Sequence, residues 1–121
     1  MARIMVVDDS PTDVQNLKNM LSKAGYAVVE ATSGLDAIAR VKQEKPDCVI
    51  MDVVMPGVNG FQATRTLSKD PATAHIPVLV ISSKNQETDR VWAMRQGARD
   101  YIVKPVKEAD LIAKIKAAIG G

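Results

Sequence analysis

Several features that would assign this 121-residue chain to a specialised class of protein are missing from its sequence. It contains one cysteine, Cys48, so no internal disulfide can form and the chain suits a reducing compartment. No apolar run reaches membrane-spanning length, and we expect no signal peptide, because only a few apolar residues precede the two acids near the amino terminus. The formal net charge of +2 is too small to indicate nucleic-acid binding by itself. We therefore expect a cytoplasmic protein without membrane insertion and without a nucleic-acid partner.

The chain also lacks tandem repeats, low-complexity tracts and recognisable linkers. Hydrophobic residues make up 46% of it and charged residues 25%, which is ordinary for a globular domain. A chain of this length can bury a sizeable core. We expect a single domain over residues 1–121, with no separate output domain.

Short apolar runs alternate with segments of helical spacing along the whole chain. Each apolar run ends at turn or polar residues, which is typical of strands buried on both faces. The predicted strands span residues 4–7, 26–31, 48–51, 78–81 and 101–103. Five strands that alternate with five helices predict an α/β fold, a doubly wound parallel sheet covered by helices on both sides. The second strand has the lowest apolar content, so it is expected at a sheet edge.

Helix boundaries are predicted from capping and breaking residues. Ser10 and Asn85 are expected to cap the first and fourth helices, and Gly120 and Gly121 to end the last. In the second helix, Leu35 is placed on the apolar face by its spacing. The third strand is expected to close on a turn at Pro56 and Gly57.

Polar or charged residues follow four of the five predicted strands. Asp8 and Asp9 follow the first strand and Asp52 the third, and the fourth and fifth lead into Ser82 and Lys104. In parallel sheets the functional crevice lies beyond the carboxyl ends of the strands, where the strand order reverses. We therefore expect these side chains to converge at one edge of the sheet.

This set of side chains suits the acceptance of a phosphoryl group. Three carboxylates repel one another unless a cation lies among them, and oxygen ligands beside phosphate favour Mg²⁺. An aspartate can act as a nucleophile and form an acyl phosphate, and Asp52 is assigned that role. Lys104 and Ser82 can contact phosphoryl oxygens. Each residue alone has an ordinary explanation as a turn, cap or surface residue; the prediction depends on the set.

Four motifs together resemble the receiver domain of two-component response regulators. They are VVDDS at 6–10, MDVVMPGVNG at 51–60, VISS at 80–83 and DYIVKP at 100–105. The resemblance covers the whole chain. It implies a flavodoxin-like, CheY-like receiver fold with strand order 2-1-3-4-5.

The resemblance also implies roles at the acidic residues. Asp52 matches the phosphorylated aspartate. Asp8 and Asp9 match the acidic pair that binds Mg²⁺ together with Asp52, and the backbone carbonyl of Val54 matches a further metal ligand.

The remaining roles concern the phosphoryl group and the response to it. Lys104 matches the phosphate-binding lysine, and its bond to Pro105 is expected to be cis. Ser82 and Tyr101 match a switch pair, in which the serine moves toward the phosphoryl group and the tyrosine then turns inward.

The resemblance implies a signalling function without turnover of an external substrate. The phosphoryl donor is expected to be a histidine kinase of the CheA-like type, and the domain itself to catalyse only its own phosphorylation and dephosphorylation. Two longer stretches resemble stand-alone regulators of the chemosensory system that controls type IV pili and twitching motility: MDVVMPGVNGFQATRTLSKD at 51–70 and QETDRVWAMRQGARDYIVKP at 86–105. Output is expected through a protein partner at the face of helix 4, strand 5 and helix 5, where Trp92 lies, or through a phosphate-sink role.

Two other functions remain open from the sequence. Magnesium-dependent aspartyl phosphatases also use an aspartate at a strand end, but they commonly need a second acid two residues later, where this chain has Val54. A receiver-like interaction module that never carries phosphate is the other alternative, and the intact set of acids argues against it.

Overall fold

The computed structural model describes residues 2–54, 57 and 59–120. The predicted turn residue Pro56 and the predicted helix terminator Gly121 lie outside the described residues. Strands and helices alternate as the apolar pattern predicts. They are β1 (Arg3–Val7), α1 (Pro11–Lys23), β2 (Ala27–Ala31), α2 (Gly34–Glu44), β3 (Cys48–Asp52), α3 (Gly60–Lys69), β4 (Val78–Ser82), α4 (Glu87–Arg95), β5 (Asp100–Val103) and α5 (Glu108–Ile119).

The strands form one five-stranded sheet in the order β2-β1-β3-β4-β5. All four strand pairs are parallel. The predicted fold class and strand order are therefore confirmed, and β2 lies at a sheet edge as its composition predicts. The order reverses beside β1, so the crevice expected from the topology opens at the carboxyl ends of β1 and β3.

Side chains alternate between the two faces of the sheet, and α1 and α5 cover one face while α2, α3 and α4 cover the other. One core joins strand residues to α1 and α5 through Leu17, Leu21, Leu111 and Ile115. A second core joins the opposite face to α2 and α3. Cys48 is fully buried in the first core. Burial raises the pKa of the Cys48 thiol to about 12, so it serves as a small core residue.

Local signals place most helix ends correctly, with two corrections. Ser10 caps α1, accepting a hydrogen bond from the Asp13 amide. α4 is capped by Gln86 and not by Asn85, since the carboxylate of Asp89 accepts from the Gln86 amide at 3.3 Å. Leu35 is 64% exposed, because α2 buries Ala37 and Val41 against the sheet instead. Among the described residues, no helix is both long and apolar enough to cross a membrane.

Two strands extend one residue beyond their apolar runs, which decides the depth of the crevice. Asp52 is the last residue of β3, and Ser82 is the last residue of β4. Both residues are buried, at 5% and 1% exposure. The polar residues therefore sit within the sheet edge, partly shielded from water, and not on loops above it.

Candidate functional site

Three carboxylates meet where β1 and β3 end. Asp8, Asp9 and Asp52 each offer an oxygen, and these oxygens all lie within 4.8 Å of one another. Asp8 is buried and oriented by the Ser10 amide, which donates to its Oδ1 at 2.9 Å. Asp9 is exposed. The predicted convergence of these acids is therefore present.

The environment of Asp52 opposes its negative charge. Burial raises its pKa to about 6, the nearby charge of Asp8 adds to the increase, and Lys104 works against it. Asp52 Oδ1 accepts a weak hydrogen bond from the Val54 amide at 3.4 Å. A divalent cation would remove this repulsion, and an all-oxygen donor set suits Mg²⁺. The residues present therefore fit the metal that the sequence predicts.

Lys104 reaches the acidic cluster from the far side of β4. Its amide donates to the Ser82 carbonyl at 2.7 Å, which holds the backbone against the end of β4. The Lys104 Nζ atom lies 3.3 Å from Asp8 Oδ2 and 3.9 Å from Asp52 Oδ1. Its bond to Pro105 is cis, as predicted.

The closest partner of Lys104 is a residue that sequence reasoning missed. Lys104 Nζ lies 2.8 Å from Asp13 Oδ2, in the first turn of α1. Burial lowers the pKa of Lys104, but the hydrogen bond to Asp13 and the charges of Asp52 and Asp8 outweigh that effect and raise it. An acid in the first turn of a helix is common for dipole reasons alone, so nothing in the sequence distinguished Asp13.

The backbone of Lys84 connects the predicted switch pair. Its amide donates to Ser82 Oγ at 3.1 Å, and its carbonyl accepts from the Tyr101 hydroxyl at 2.8 Å. Tyr101 is only 4% exposed, and burial raises its pKa. The inward orientation expected after phosphorylation is therefore already present, because the hydroxyl has an acceptor there. Sequence reasoning missed this bridge because it is made by main-chain groups.

The start of α3 lies directly against the end of β3. Asn59 and Gln62 form a capping box: Asn59 Oδ1 accepts from the Gln62 amide at 2.9 Å, and Gln62 Oε1 accepts from the Asn59 amide at 3.1 Å. The Gly60 amide donates to the Val53 carbonyl at 3.3 Å. A Cβ atom on Gly60 would lie 2.0 Å from the Asp52 carbonyl oxygen. α3 therefore packs directly behind the backbone of Asp52, and only glycine fits at position 60.

The face formed by α4, β5 and α5 carries exposed apolar side chains. Trp92 is 50% exposed, and Val91 and Val103 are each 41% exposed. α4 buries Ala93 against the sheet instead. Beside these residues lies a groove of about 540 Å³, lined in part by Tyr101, Arg90 and Lys107. The predicted partner face is thus open and partly apolar, and it adjoins the buried tyrosine.

The family of response regulator receiver domains matches residues 4–116 of this chain. The chain belongs to this family. The receiver domain is 56% identical over 121 residues to the protein PilH of Pseudomonas aeruginosa, covering 100% of both chains. The family prediction and the resemblance to PilH-type regulators are confirmed.

Solved receiver structures share its fold. The chemotaxis protein CheY4 of Vibrio cholerae superposes with a TM-score of 0.90 at 27% identity, covering 98% of each chain. The receiver domain of a sensor histidine kinase from Pseudomonas aeruginosa superposes with a TM-score of 0.91 at 27% identity, covering 99% of this chain and 98% of that one. That structure has a magnesium ion coordinated in its active site cleft. The roles of individual residues in the present receiver domain remain predictions.

Proposed function

We propose that this receiver domain accepts a phosphoryl group on Asp52 from a histidine kinase of the CheA-like type. The observation that carries the proposal is the convergence of three carboxylates and Lys104 around the end of β3. Asp52, at the centre of this group, is buried, and its ionised form is destabilised. A buried carboxylate with a perturbed pKa in a crevice of this kind is typical of a reactive group.

The proposed reaction transfers the phosphoryl group between two nucleophiles. An oxygen of ionised Asp52 attacks the phosphorus of a phosphohistidine, and the phosphorus–nitrogen bond breaks as the new phosphorus–oxygen bond forms. The electron pair of the broken bond stays on the imidazole nitrogen of the kinase. Lys104 Nζ, 3.9 Å from Asp52 Oδ1, is close enough to shift onto a phosphoryl oxygen. Ser82 Oγ can turn from the Lys84 amide to donate to another.

Mg²⁺ is the cofactor that the donor set supports. We assign it to carboxylate oxygens of Asp8, Asp9 and Asp52 with the backbone carbonyl of Val54. When bound, the ion neutralises charge on the carboxylates and on the incoming phosphoryl group. Support comes from the mutual approach of the three acids and from the magnesium-bound receiver neighbour.

The output is proposed to pass through the bridge between the switch residues. If Ser82 turns to the phosphoryl group, the Lys84 amide loses its acceptor, and the connection between β4 and α4 can change conformation while its Lys84 carbonyl still accepts from the inward Tyr101. That change would reach the partner face beside Trp92. We propose that a downstream protein binds this face, or that the domain drains phosphate from a sibling regulator, in control of type IV pilus twitching motility. The full-length identity to PilH supports this assignment.

Direct phosphorylation tests the proposal. The purified protein, incubated with Mg²⁺ and acetyl phosphate, is expected to gain the mass of one phosphoryl group, located on Asp52 by peptide mapping. Asp52→Asn should gain none, because an amide cannot serve as the nucleophile. The matched control is Asp70→Asn, an acid at the opposite end of the sheet that pairs with Lys42 and should react like wild type. The same pair of variants is then presented to phosphorylated candidate kinases.

Other outcomes of this experiment would favour the alternatives. If wild type gained no phosphoryl group with Mg²⁺ present, the unphosphorylated interaction module would replace the proposal. Steady turnover of an external phosphomonoester, lost in Asp52→Asn, would instead indicate an aspartyl phosphatase.

Trp92 offers a probe of the partner face. It is the only tryptophan of the chain and is half-exposed, so its emission, excited selectively over that of Tyr26 and Tyr101, reports on α4. Acetyl phosphate with Mg²⁺ is expected to change the emission of wild type and to leave that of Asp52→Asn unchanged. Identical emission before and after complete phosphorylation would argue that the signal does not reach this face.

A further inference from the structure

The closest carboxylate to Lys104 lies outside the acidic cluster of the phosphorylation site. We infer that Asp13 is a positioning residue that holds Lys104 away from Asp52 and thereby limits how tightly the site binds a phosphoryl group. The inference rests on the proposed function of Asp52. Asp13 would act only through Lys104, since it is not among the three acids whose oxygens cluster within 4.8 Å.

The distances show which carboxylate holds the ammonium group. Lys104 Nζ lies 2.8 Å from Asp13 Oδ2, against 3.3 Å from Asp8 and 3.9 Å from Asp52. The contacts with Asp13 and Asp8 have hydrogen-bond geometry. The contact with Asp52 is an ion pair without a hydrogen bond. The lysine is therefore held on the α1 side of the crevice, short of the phosphoacceptor.

Both ends of this contact have anchored backbones. The Lys104 amide donates to the Ser82 carbonyl, and the Asp13 amide donates to the Ser10 hydroxyl at the capped end of α1. Lys104 can therefore reach toward Asp52 only by rotating its side chain, which breaks the hydrogen bond to Asp13. A phosphoryl group on Asp52 must compete with Asp13 for the same ammonium.

The solvent exposure of Asp13 and Lys104 limits the strength of their ion pair. The Asp13 side chain is 39% exposed and that of Lys104 is 22% exposed. Asp13 also borders a cleft of about 160 Å³ between α1 and the residues after β5. Ion pairs with this degree of exposure are partly screened, so we expect removal of Asp13 to tighten phosphoryl binding about three- to five-fold.

The test measures affinity for beryllofluoride, a stable analogue of the phosphoryl group, by calorimetry in saturating Mg²⁺. Asp13→Asn should bind it about three- to five-fold more tightly than wild type. Asp13→Glu, which keeps the charge, should stay closer to wild type. The matched control is Asp36→Asn, because Asp36 occupies the same position in the first turn of α2 and is also half-buried. Its affinity should stay within about two-fold of wild type.

A second comparison tests whether Asp13 acts through its ion pair with Lys104 or only through its negative charge. In a Lys104→Ala background, Asp13→Asn should no longer strengthen binding, because the ammonium group for which Asp13 and the phosphoryl group compete is absent. Equal tightening with and without Lys104 would overturn the inference, as would unchanged or weaker binding by Asp13→Asn. Acetyl phosphate uptake by wild type is measured alongside: if wild type takes up none, the proposed function fails and this inference with it. Normal uptake with no effect of Asp13→Asn overturns the inference alone.

Discussion

Asp52→Asn is expected to stabilise the metal-free protein by about 2 to 3 kcal/mol at pH 7. The pKa of Asp52 rises from 3.8 to about 6 in the folded protein, mainly because the carboxyl group is buried and secondly because Asp8 lies beside it. Keeping the group ionised at neutral pH therefore costs folding free energy. Asparagine has nearly the same shape and carries no charge, so the variant avoids that cost.

The gain from Asp52→Asn should depend on pH in a defined window. A folded-state pKa above the unfolded value means that the native protein binds the extra proton, so wild type loses stability as pH rises from about 4 to about 6. The advantage of the variant should be absent below pH 4 and complete above pH 6. Asp8, Asp9 and Lys104 face the same crevice and are unchanged in both proteins.

Urea unfolding in EDTA across this pH range measures the effect. Asp70→Asn is the control of opposite sign. The hydrogen bond from Lys42 lowers the pKa of the Asp70 carboxyl group, so loss of that carboxylate should slightly destabilise the protein at neutral pH. Adding Mg²⁺ should stabilise wild type more than Asp52→Asn, since the variant lacks one proposed metal ligand. A variant less stable than wild type at pH 7 without metal would contradict the described electrostatics of the crevice.

Gly60→Ala is expected to cost about 3 to 5 kcal/mol of stability. The added Cβ would lie 2.0 Å from the carbonyl oxygen of Asp52 and 2.7 Å from the Cα atom of Val53. These are backbone atoms that no side-chain rotation can move. Relief requires α3 or the end of β3 to shift, and a shift of about 1 Å at a reacting group can slow reaction about 100-fold.

Unfolding free energy and the rate of acetyl phosphate uptake are both measured for Gly60→Ala. Gly120→Ala provides the comparison: its backbone is left-handed at φ 79°, but a Cβ there meets nothing within 4 Å. Left-handed strain alone should cost that variant about 1 kcal/mol and leave phosphoryl uptake unchanged. Equal losses in the two variants would mean that close packing at Gly60 is unimportant.

The sequence alone was sufficient for the order of elements and for the convergence of most residues of the candidate site. Apolar runs that alternate with helical segments predict a parallel α/β sheet, because strands of this composition must be buried on both faces. Once the strands are parallel, their carboxyl ends share one edge, so Asp8, Asp52 and Lys104 must approach one another. Asn85 and Leu35 were misplaced for local reasons: two polar residues in succession can each begin a helix, and helical spacing does not say which apolar residues the sheet covers.

Only the tertiary structure decided which contacts are made inside the crevice. The pairing of Lys104 with Asp13 joins residues 91 positions apart, and an acid in a first helical turn looks the same in sequence whether or not it has such a partner. The bridge through Lys84 uses main-chain groups, which every residue possesses. The sequence determined that the acids and the lysine share one sheet edge, because its repeating apolar pattern specifies parallel strands and parallel strands all end at the same edge. Which oxygen holds the lysine depends on side-chain distances below 4 Å, and these arise only when helices and strands pack together.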